Sequence, residues 1–153
     1  MSAQTTYATS ISDAYAGLVV QQDGDCTQIV SKTAYGSVID FGVVVSRSGD
    51  AKATLGGSGT GIGVTIRSLD REGTKLTGAI QYAVGDSMAV LRKGYIWVVI
   101  ANTGVPGNAL YYVNSTGLIS VGTAGGGQTD LTGCTLETTV ATNGDLGLIR
   151  VDL

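Results

Sequence analysis

A chain of 153 residues, with nine basic and twelve acidic residues and a net charge of −3, is long enough to bury one ordinary hydrophobic core. Only 14% of its residues are charged and the basic ones are scattered, which argues against nucleic-acid binding, because that function requires a clustered basic face. The 24 glycines stand among β-branched residues without the three-residue period of collagen, and they indicate many tight turns between short strands.

Neither a secretory signal nor a membrane-spanning helix is expected. No Lys or Arg precedes Lys32, whereas a signal peptide begins with positive charge. The longest strongly apolar run, Tyr95 to Ala101, is far shorter than the about 20 residues that a spanning helix needs. We therefore expect a protein made in a cytoplasm, and its high mean hydropathy suggests additional surface buried in an assembly.

The N-terminal residues 1–16 differ in composition from the rest of the chain. They are polar and rich in Ser, Thr, Gln and Ala, with Tyr7, Ile11 and Tyr15 spaced by four. That spacing also fits a short helix, but Ser and Thr are weak helix formers. We predict an extended N-terminal arm over residues 1–16, with a short helix as the alternative, followed by one β-domain over residues 17–153.

From Gly17 onward, short apolar runs alternate with turn residues at spacings of about ten residues, a pattern typical of a β-sandwich or barrel. No segment has a sustained apolar stripe with the helical period of 3.6 residues. The predicted strands, in chain order, are Leu18–Val20, Thr27–Val30, Val38–Val45, Ala51–Leu55, Gly61–Ile66, Leu76–Tyr82, Ser87–Leu91, Tyr95–Ala101, Ala109–Val113, Leu118–Val121, Leu131–Thr139 and Leu146–Leu153.

One pair of these strands looks like a hairpin. Arg92-Lys93-Gly94 separates Ser87–Leu91 from Tyr95–Ala101, and a three-residue loop that ends in Gly is a common hairpin connection. The second strand of the pair is apolar on both faces, which predicts a central strand that is covered on both sides. We expect Trp97, the single tryptophan, in the core rather than on a ligand platform.

The chain offers little material for catalysis. It contains no histidine, which excludes Ser-His-Asp and Cys-His nucleophilic systems and the His-based metal sites. The Gly-rich stretch Gly56–Gly63 lacks the Lys-Ser/Thr of a P-loop and precedes a strand, so a turn is predicted there. We predict no enzyme activity, no cofactor and no metal.

The two cysteines, Cys26 and Cys134, fit no metal or redox spacing. Two buried thiols are expected. A disulfide between the N-terminal region and a late strand is the alternative.

The order and spacing of several segments are similar to those of a known family. Gly85 to Val98 reads Gly-Asp-Ser-Met-Ala-Val-Leu-Arg-Lys-Gly-Tyr-Ile-Trp-Val, close to a Gly-Asp-x-Val-x-Val-Leu-x-x-Gly-x-Ile-Trp-Val pattern. Over residues 38–153 the chain resembles the structural cement, or capsid decoration, proteins of tailed phages. It departs from them at Asn108, where the family often has Asp, and in the long loop Gly122–Asp130. The segments that carry the resemblance are Ile39–Val45, Gly61–Arg67, Tyr82–Leu91, Lys93–Val98, Gly107–Val113, Gly133–Glu137 and Gly144–Val151.

The resemblance implies an all-β, single-domain, jelly-roll-like sandwich or barrel that is displayed on the exterior of the virion capsid. It implies two partners, the major capsid protein and further copies of the chain in a homo-dimer or homo-trimer, and neither nucleic acid nor membrane. The function implied is to brace neighbouring capsomers. A carbohydrate- or receptor-binding β-sandwich of a phage tail or adhesin is the alternative.

Contacts with the capsid or with a neighbouring subunit are predicted at two places. In the arm, Tyr7 and Tyr15 are candidate anchors. In the segment 67–73, which has the densest cluster of charge, Arg67 and Arg71 are candidates. A solvated loop is the alternative for that segment.

Overall fold

The structure, a computed structural model, describes residues 15–21, 26–59, 61–68 and 81–153. The regular elements in this part of the chain are strands, which confirms the predicted all-β fold. Within the same residues, no helix is long and apolar enough to span a membrane. The strands are β1 (Val19–Val20), β2 (Gln28–Ala34), β3 (Ile39–Asp40), β4 (Val44–Arg47), β5 (Lys52–Leu55), β6 (Gly61–Thr65), β7 (Gln81–Tyr82), β8 (Ser87–Val99), β9 (Ala109–Val113), β10 (Ile119–Val121), β11 (Gln128–Leu136) and β12 (Leu146–Asp152).

Five strands close into a small barrel. β2 and β6 pair antiparallel with the first half of β8, β5 pairs in parallel with β2, and β4 joins β5 to β6. The close approach of β6 to β8 requires Gly63, because a Cβ there would lie 2.2 Å from the carbonyl oxygen of Leu91. The barrel encloses the first core, whose buried residues are Ala34, Ile39, Phe41, Val43, Val45, Ala53, Tyr82, Met88 and Val90.

A second sheet continues from the other half of β8. β12 pairs antiparallel with this half, and β11, β9 and β10 follow in that order. The sheet curves back on itself, because Ile119 of β10 forms a parallel bridge with Ile100 at the end of β8. The second core includes Val44, Val64 and Leu91 from the outer wall of the barrel together with residues of this sheet. The jelly-roll connectivity implied by the resemblance stays a prediction.

β8 runs unbroken through Arg92-Lys93-Gly94, so the hairpin predicted at these residues is wrong. Arg92 is the extra residue of a β-bulge, because adjacent residues of β2 pair with Leu91 and Lys93 on either side of it. Gly94, two residues after the bulge residue, has a φ of 132°, and a glycine at positive φ is also what the end of a three-residue hairpin loop favours. The local sequence therefore fits either a hairpin loop or a continuous strand with a bulge. The continuous strand forms because the runs on both sides of these residues pair with other strands.

The extra residue of the bulge shifts the alternation of side chains along β8 by one residue. Met88 and Val90, before the bulge, point into the barrel. Leu91 already belongs to the second core, as do Ile96, Val98 and Ile100 after the bulge. The barrel-side face thus continues beyond the barrel as an outer surface that carries Tyr95, Trp97 and Val99. Trp97, expected in the core, is half-buried on this outer surface.

The predicted strand Val38–Val45 is divided in two. Ile39–Asp40 pairs with β7, whereas Val44–Arg47 belongs to the barrel. Phe41-Gly42 forms the turn between them, with Gly42 at a φ of 72°. Of the predicted strand Leu76–Tyr82, only Gln81–Tyr82 lies within the described residues, where it forms β7.

Both cysteines are free thiols, and only one of them is buried. Cys134 lies in the second core, whereas Cys26 is exposed. The expectation of two buried thiols is therefore wrong for Cys26, which precedes β2 at the surface, and the alternative disulfide is not formed.

Candidate interaction surface

Two of the four predicted contact residues meet at one end of the barrel. The guanidinium carbon of Arg67 lies 4.6 Å from the centroid of the Tyr15 ring, which is the geometry of a cation–π contact. Tyr15 is 52% exposed, and Arg67 is partly exposed. This pair is named the Tyr15–Arg67 corner. The other two predicted residues, Tyr7 and Arg71, lie outside the described residues, as does most of the predicted arm.

The backbone of Gly17 fixes the corner to the barrel. Its N–H donates to the carbonyl oxygen of Trp97 at 2.8 Å, and its carbonyl oxygen accepts from the N–H of Arg67 at 2.9 Å. Gly17 has a φ of 82°, and a Cβ there would lie 2.7 Å from the Arg67 nitrogen. Only glycine can occupy this position without strain, because it lacks a Cβ and adopts positive φ readily. The segment after Tyr15 is therefore held between β8 and the loop that follows β6.

Buried polar contacts stabilise the loop that carries Arg67. The Tyr82 hydroxyl donates to the carbonyl oxygen of Ile66 at 2.6 Å. The Thr65 hydroxyl accepts from the Val43 N–H at 3.1 Å and donates to the carbonyl oxygen of Asp40 at 2.7 Å. These bonds join β6 to the turn between β3 and β4. The corner is thus presented on a well-braced end of the barrel.

An apolar sheet face adjoins the corner. Side chains of β1, β8 and β12 alternate between the second core and the outside, and a block of the outward ones is apolar. Leu18 and Val99 are each 37% exposed, and Trp97 between them is half-buried. This surface is named the Trp97 face. It consists of Leu18, Val20, Tyr95, Trp97, Val99 and Leu146, which are partly or fully exposed, whereas Leu148, which pairs with Trp97, is buried.

The rim of the Trp97 face carries charges of both signs. Lys93 and Asp152 are cross-strand neighbours on β8 and β12, and they form an ion pair with an N–O distance of 3.6 Å. Arg150, which lies opposite Tyr95, is exposed. Glu137 is exposed beside β12, where its N–H donates to the carbonyl oxygen of Leu148 at 2.8 Å. Charges of both signs therefore lie beside the apolar residues, at the β12 side of the face.

Sequence reasoning did not find the Trp97 face. The run Tyr95–Ala101 is apolar at every position up to its end, a pattern that predicts burial on both sides. β8 is indeed central, with β1 along one edge and β12 along the other. The outer side chains Tyr95, Trp97 and Val99 nevertheless stay at least partly accessible.

The described residues contain little that could perform acid–base or metal chemistry. No group of three or more His, Cys, Asp and Glu side chains in this part of the chain could hold a metal ion. Two surface depressions of about 340 and 360 Å³ flank Asp130–Thr132, and Cys134 lines the second of them. Burial raises the pKa of the Cys134 thiol, which keeps it protonated and weakly nucleophilic.

Comparison with known proteins connects this fold to phage particles. The model of the family described as structural cement protein (E217 gp24/Pam3 gp6) matches residues 3–152. No curated protein matches the chain. A chain in a solved structure of the capsid of Myoviridae phage XM1 is 17% identical, with a TM-score of 0.71 over 99% of this chain and 98% of that chain, which shows a shared fold. The head fibre gp8.5 N base of bacteriophage phi29 is 12% identical, with a TM-score of 0.48 over 83% of this chain and 95% of that chain.

Proposed function

We propose, since this chain belongs to the structural cement protein family of phages, that it binds the outer surface of an assembled capsid and stabilises the contacts between capsomers. The family match over residues 3–152 carries this proposal, because it covers nearly the whole chain. The major capsid protein is the proposed partner. The protein is made in the host cytoplasm and ends on the exterior of the virion.

Binding would stabilise the assembled capsid through thermodynamic linkage between binding and assembly. A protein that binds the closed lattice and not its separated subunits shifts the equilibrium towards the closed lattice by mass action. Several weak contacts on neighbouring capsomers combine, because the first contact raises the effective concentration for the others. No covalent chemistry is required, in keeping with a surface built for binding.

The Tyr15–Arg67 corner is the proposed capsid contact. Tyr and Arg are two of the residue types most enriched at the energetic centres of protein interfaces. Tyr15 offers an exposed ring, and the guanidinium of Arg67 offers charged donors for carbonyl or carboxylate oxygens of a capsid subunit. Residues 1–14 precede this corner in sequence, so an arm over residues 1–16 would extend the same contact.

The role is tested on virions. Quantitative mass spectrometry of purified particles measures the copies of this protein relative to the major capsid protein. We expect a fixed ratio near one, or a simple fraction of it, as a lattice-wide cement requires. A handful of copies per particle would indicate a tail or fibre component instead, and absence from virions would overturn the proposal.

The side of binding is tested by adding purified protein to assembled, DNA-filled capsids that lack it. We expect saturable binding and greater resistance of the particles to heat. Failure to bind closed particles would contradict an exterior position.

A further inference from the structure

One edge of β2 has no partner strand along most of its length within the described part of the chain. We propose that this edge binds an extended segment of a capsid subunit, which adds to the barrel as a further strand. The inference rests on the proposed function for the identity of the partner. It deepens that function, because it adds a second contact to the Tyr15–Arg67 corner and names its chemistry.

Hydrogen bonds at the end of β2 show which way its backbone groups point. The N–H of Thr33 donates to the carbonyl oxygen of Ala51 at 2.8 Å, on the side of β5. The N–H of Ala34 donates to the carbonyl oxygen of Asp86 at 2.9 Å, on the side of β8. Backbone groups alternate between the two sides along a strand, and the register of β2 with β8 is unbroken from Ile29 to Thr33. Odd-numbered residues of β2 therefore point their backbone groups to the β5 side, and even-numbered ones to β8.

β5 covers only the end of this edge. It pairs with β2 at Thr33 and Ala34 and no earlier. Ile29 and Ser31 lie before that point, and among the described residues their outward N–H and carbonyl groups have no hydrogen-bond partner. Ile29 is 53% exposed and Ser31 is also exposed. Another chain can therefore reach these groups.

The turn before β5 is fixed beside the edge. The ammonium group of Lys32 donates to the carbonyl oxygen of Asp50 at 2.5 Å, and the guanidinium of Arg47 forms an ion pair with the Asp50 carboxylate. Both contacts favour a turn at this position over a longer β5. The chain thus keeps its own strand away from Ile29 and Ser31.

The unpaired backbone groups define the kind of partner. An extended segment repeats N–H and carbonyl groups at the spacing of a strand edge, so it can pair with all of them at once. Proteins usually protect a free edge with charge or proline, and Gln28 to Ser31 contains neither. The exposed Ile29 favours an apolar or aromatic side chain on the added strand. Under the proposed function the protein lies on capsid subunits, which makes an extended segment of a subunit the partner within reach.

Hydrogen–deuterium exchange measures these amides directly. Wild-type protein is compared free and bound to DNA-filled capsids that lack it, with fragmentation that resolves single amides of β2. We expect the amides of Ile29 and Ser31 to exchange at least about 10-fold more slowly on the capsid, because they gain hydrogen bonds there. Val30 and Lys32, whose amides face β8, are the internal control and should exchange slowly in both samples.

Two variants at one position isolate the main-chain contact. Ser31→Pro removes the outward N–H, and proline is tolerated on an edge strand where the N–H faces solvent. Ser31→Ala removes only the hydroxyl and keeps the N–H. We expect S31P to bind capsids at least about 10-fold more weakly than the wild type, since it loses a hydrogen bond and its ring obstructs the added strand, and S31A to bind like the wild type. Equal binding by S31P and S31A would contradict the inference.

Circular dichroism and thermal unfolding check that S31P is folded, and the exchange of the wild type decides alone if it is not. Capsid binding without slower exchange at Ile29 and Ser31 overturns the inference and keeps the proposed function. Absence of capsid binding overturns the function, and the inference with it, because the capsid is the named partner. Slow exchange of both amides in concentrated free protein, lost on dilution, would assign the edge to a second copy and overturn the inference.

Discussion

The side-chain amide of Asn102 forms two hydrogen bonds with the backbone of Val121. Its Nδ2 donates to the carbonyl oxygen at 2.8 Å, and its Oδ1 accepts from the N–H at 2.7 Å. The backbone bridge between Ile100 and Ile119 lies just before this pair. A side chain therefore takes the place of the next backbone pair where β10 returns to the end of β8.

Replacement of Asn102 by Ala should weaken the contact between β10 and the end of β8. The variant leaves the N–H and carbonyl groups of Val121 without their partner, and the loss of a hydrogen-bond partner for part-buried groups costs about 1–3 kcal/mol. Urea unfolding measures the change. Asn143→Ala, at an exposed position, is the control and should unfold at the wild-type midpoint. An unchanged midpoint in N102A would show that the second sheet closes without the amide.

Thr65→Val should destabilise the barrel with little change in shape. Valine nearly matches threonine in volume but removes the hydroxyl that bonds to the N–H of Val43 and the carbonyl oxygen of Asp40. We expect a loss of about 1–3 kcal/mol in the free energy of unfolding, because a buried donor and a buried acceptor lose their partner. Thr139→Val, at an exposed position, serves as the control. Equal unfolding temperatures of the two variants would refute this role of the hydroxyl.

Cys134 should give the unfolding free energy a dependence on alkaline pH. Burial, the largest cause, and the charge of Asp152 raise the pKa of the folded thiol above its ordinary value, against the effect of a backbone hydrogen bond with Asp152. The unfolded chain therefore releases this proton first as the pH rises, and stability falls from about pH 8.5 upward. Below that pH the thiol is protonated in both the folded and the unfolded state, so it adds no pH dependence to the free energy of unfolding.

Chemical denaturation at several pH values tests the effect of this thiol. The difference in unfolding free energy between the wild type and Cys134→Ala should shrink as the pH rises above the pKa of the thiol in the unfolded chain. Cys26→Ala keeps Cys134 and should follow the wild-type slope. A constant difference between the wild type and C134A across the alkaline range would rule out the predicted shift.

Removal of either member of the Tyr15–Arg67 corner should weaken binding to capsids. We expect a loss of about 1–2 kcal/mol in binding free energy for Tyr15→Ala and for Arg67→Ala, as is usual for contributing interface residues. Binding isotherms on capsids that lack the protein measure the loss. The chain provides a matched control, since Lys52 lies over the ring of Tyr35 at 4.7 Å in a second exposed cation–π pair. If Tyr35→Ala weakens binding and the corner variants do not, the contact lies elsewhere.

Local sequence was sufficient where one pattern allows one structure. Ala109–Val113 was predicted with the bounds that β9 has, because a short apolar run lies between clear turn signals. The same reasoning failed at Arg92-Lys93-Gly94, where a glycine at positive φ fits the end of a hairpin loop but lies within one continuous strand. Which of the two forms depends on the partners of the flanking runs, and the parallel pairing of β2 with β5 that closes the barrel has no local signal.

The candidate interaction surface was predicted only in part for a similar reason. Tyr15 and Arg67 were chosen separately, one for its spacing in a polar segment and the other for its place in a charge cluster. Their contact depends on Gly17, whose hydrogen bonds to β8 and to the loop after β6 form only in the folded chain. Both sides of the strand Tyr95–Ala101, with Trp97, were assigned to the core, because a sequence shows that a strand is apolar on both sides but not which side stays accessible in the folded chain.

The division of β8 between two layers has a consequence for the order of events on the ribosome. All five strands of the barrel have been synthesised once Val99 is made, but the second sheet lacks β12 until Leu146–Asp152 follows. Until then Val44, Val64 and Leu91 on the outer wall of the barrel have no second core to enter. The nascent chain thus passes through an interval in which a nearly finished barrel presents an apolar wall to solvent, and crowding of ribosomes on one message would make this the stage most exposed to aggregation.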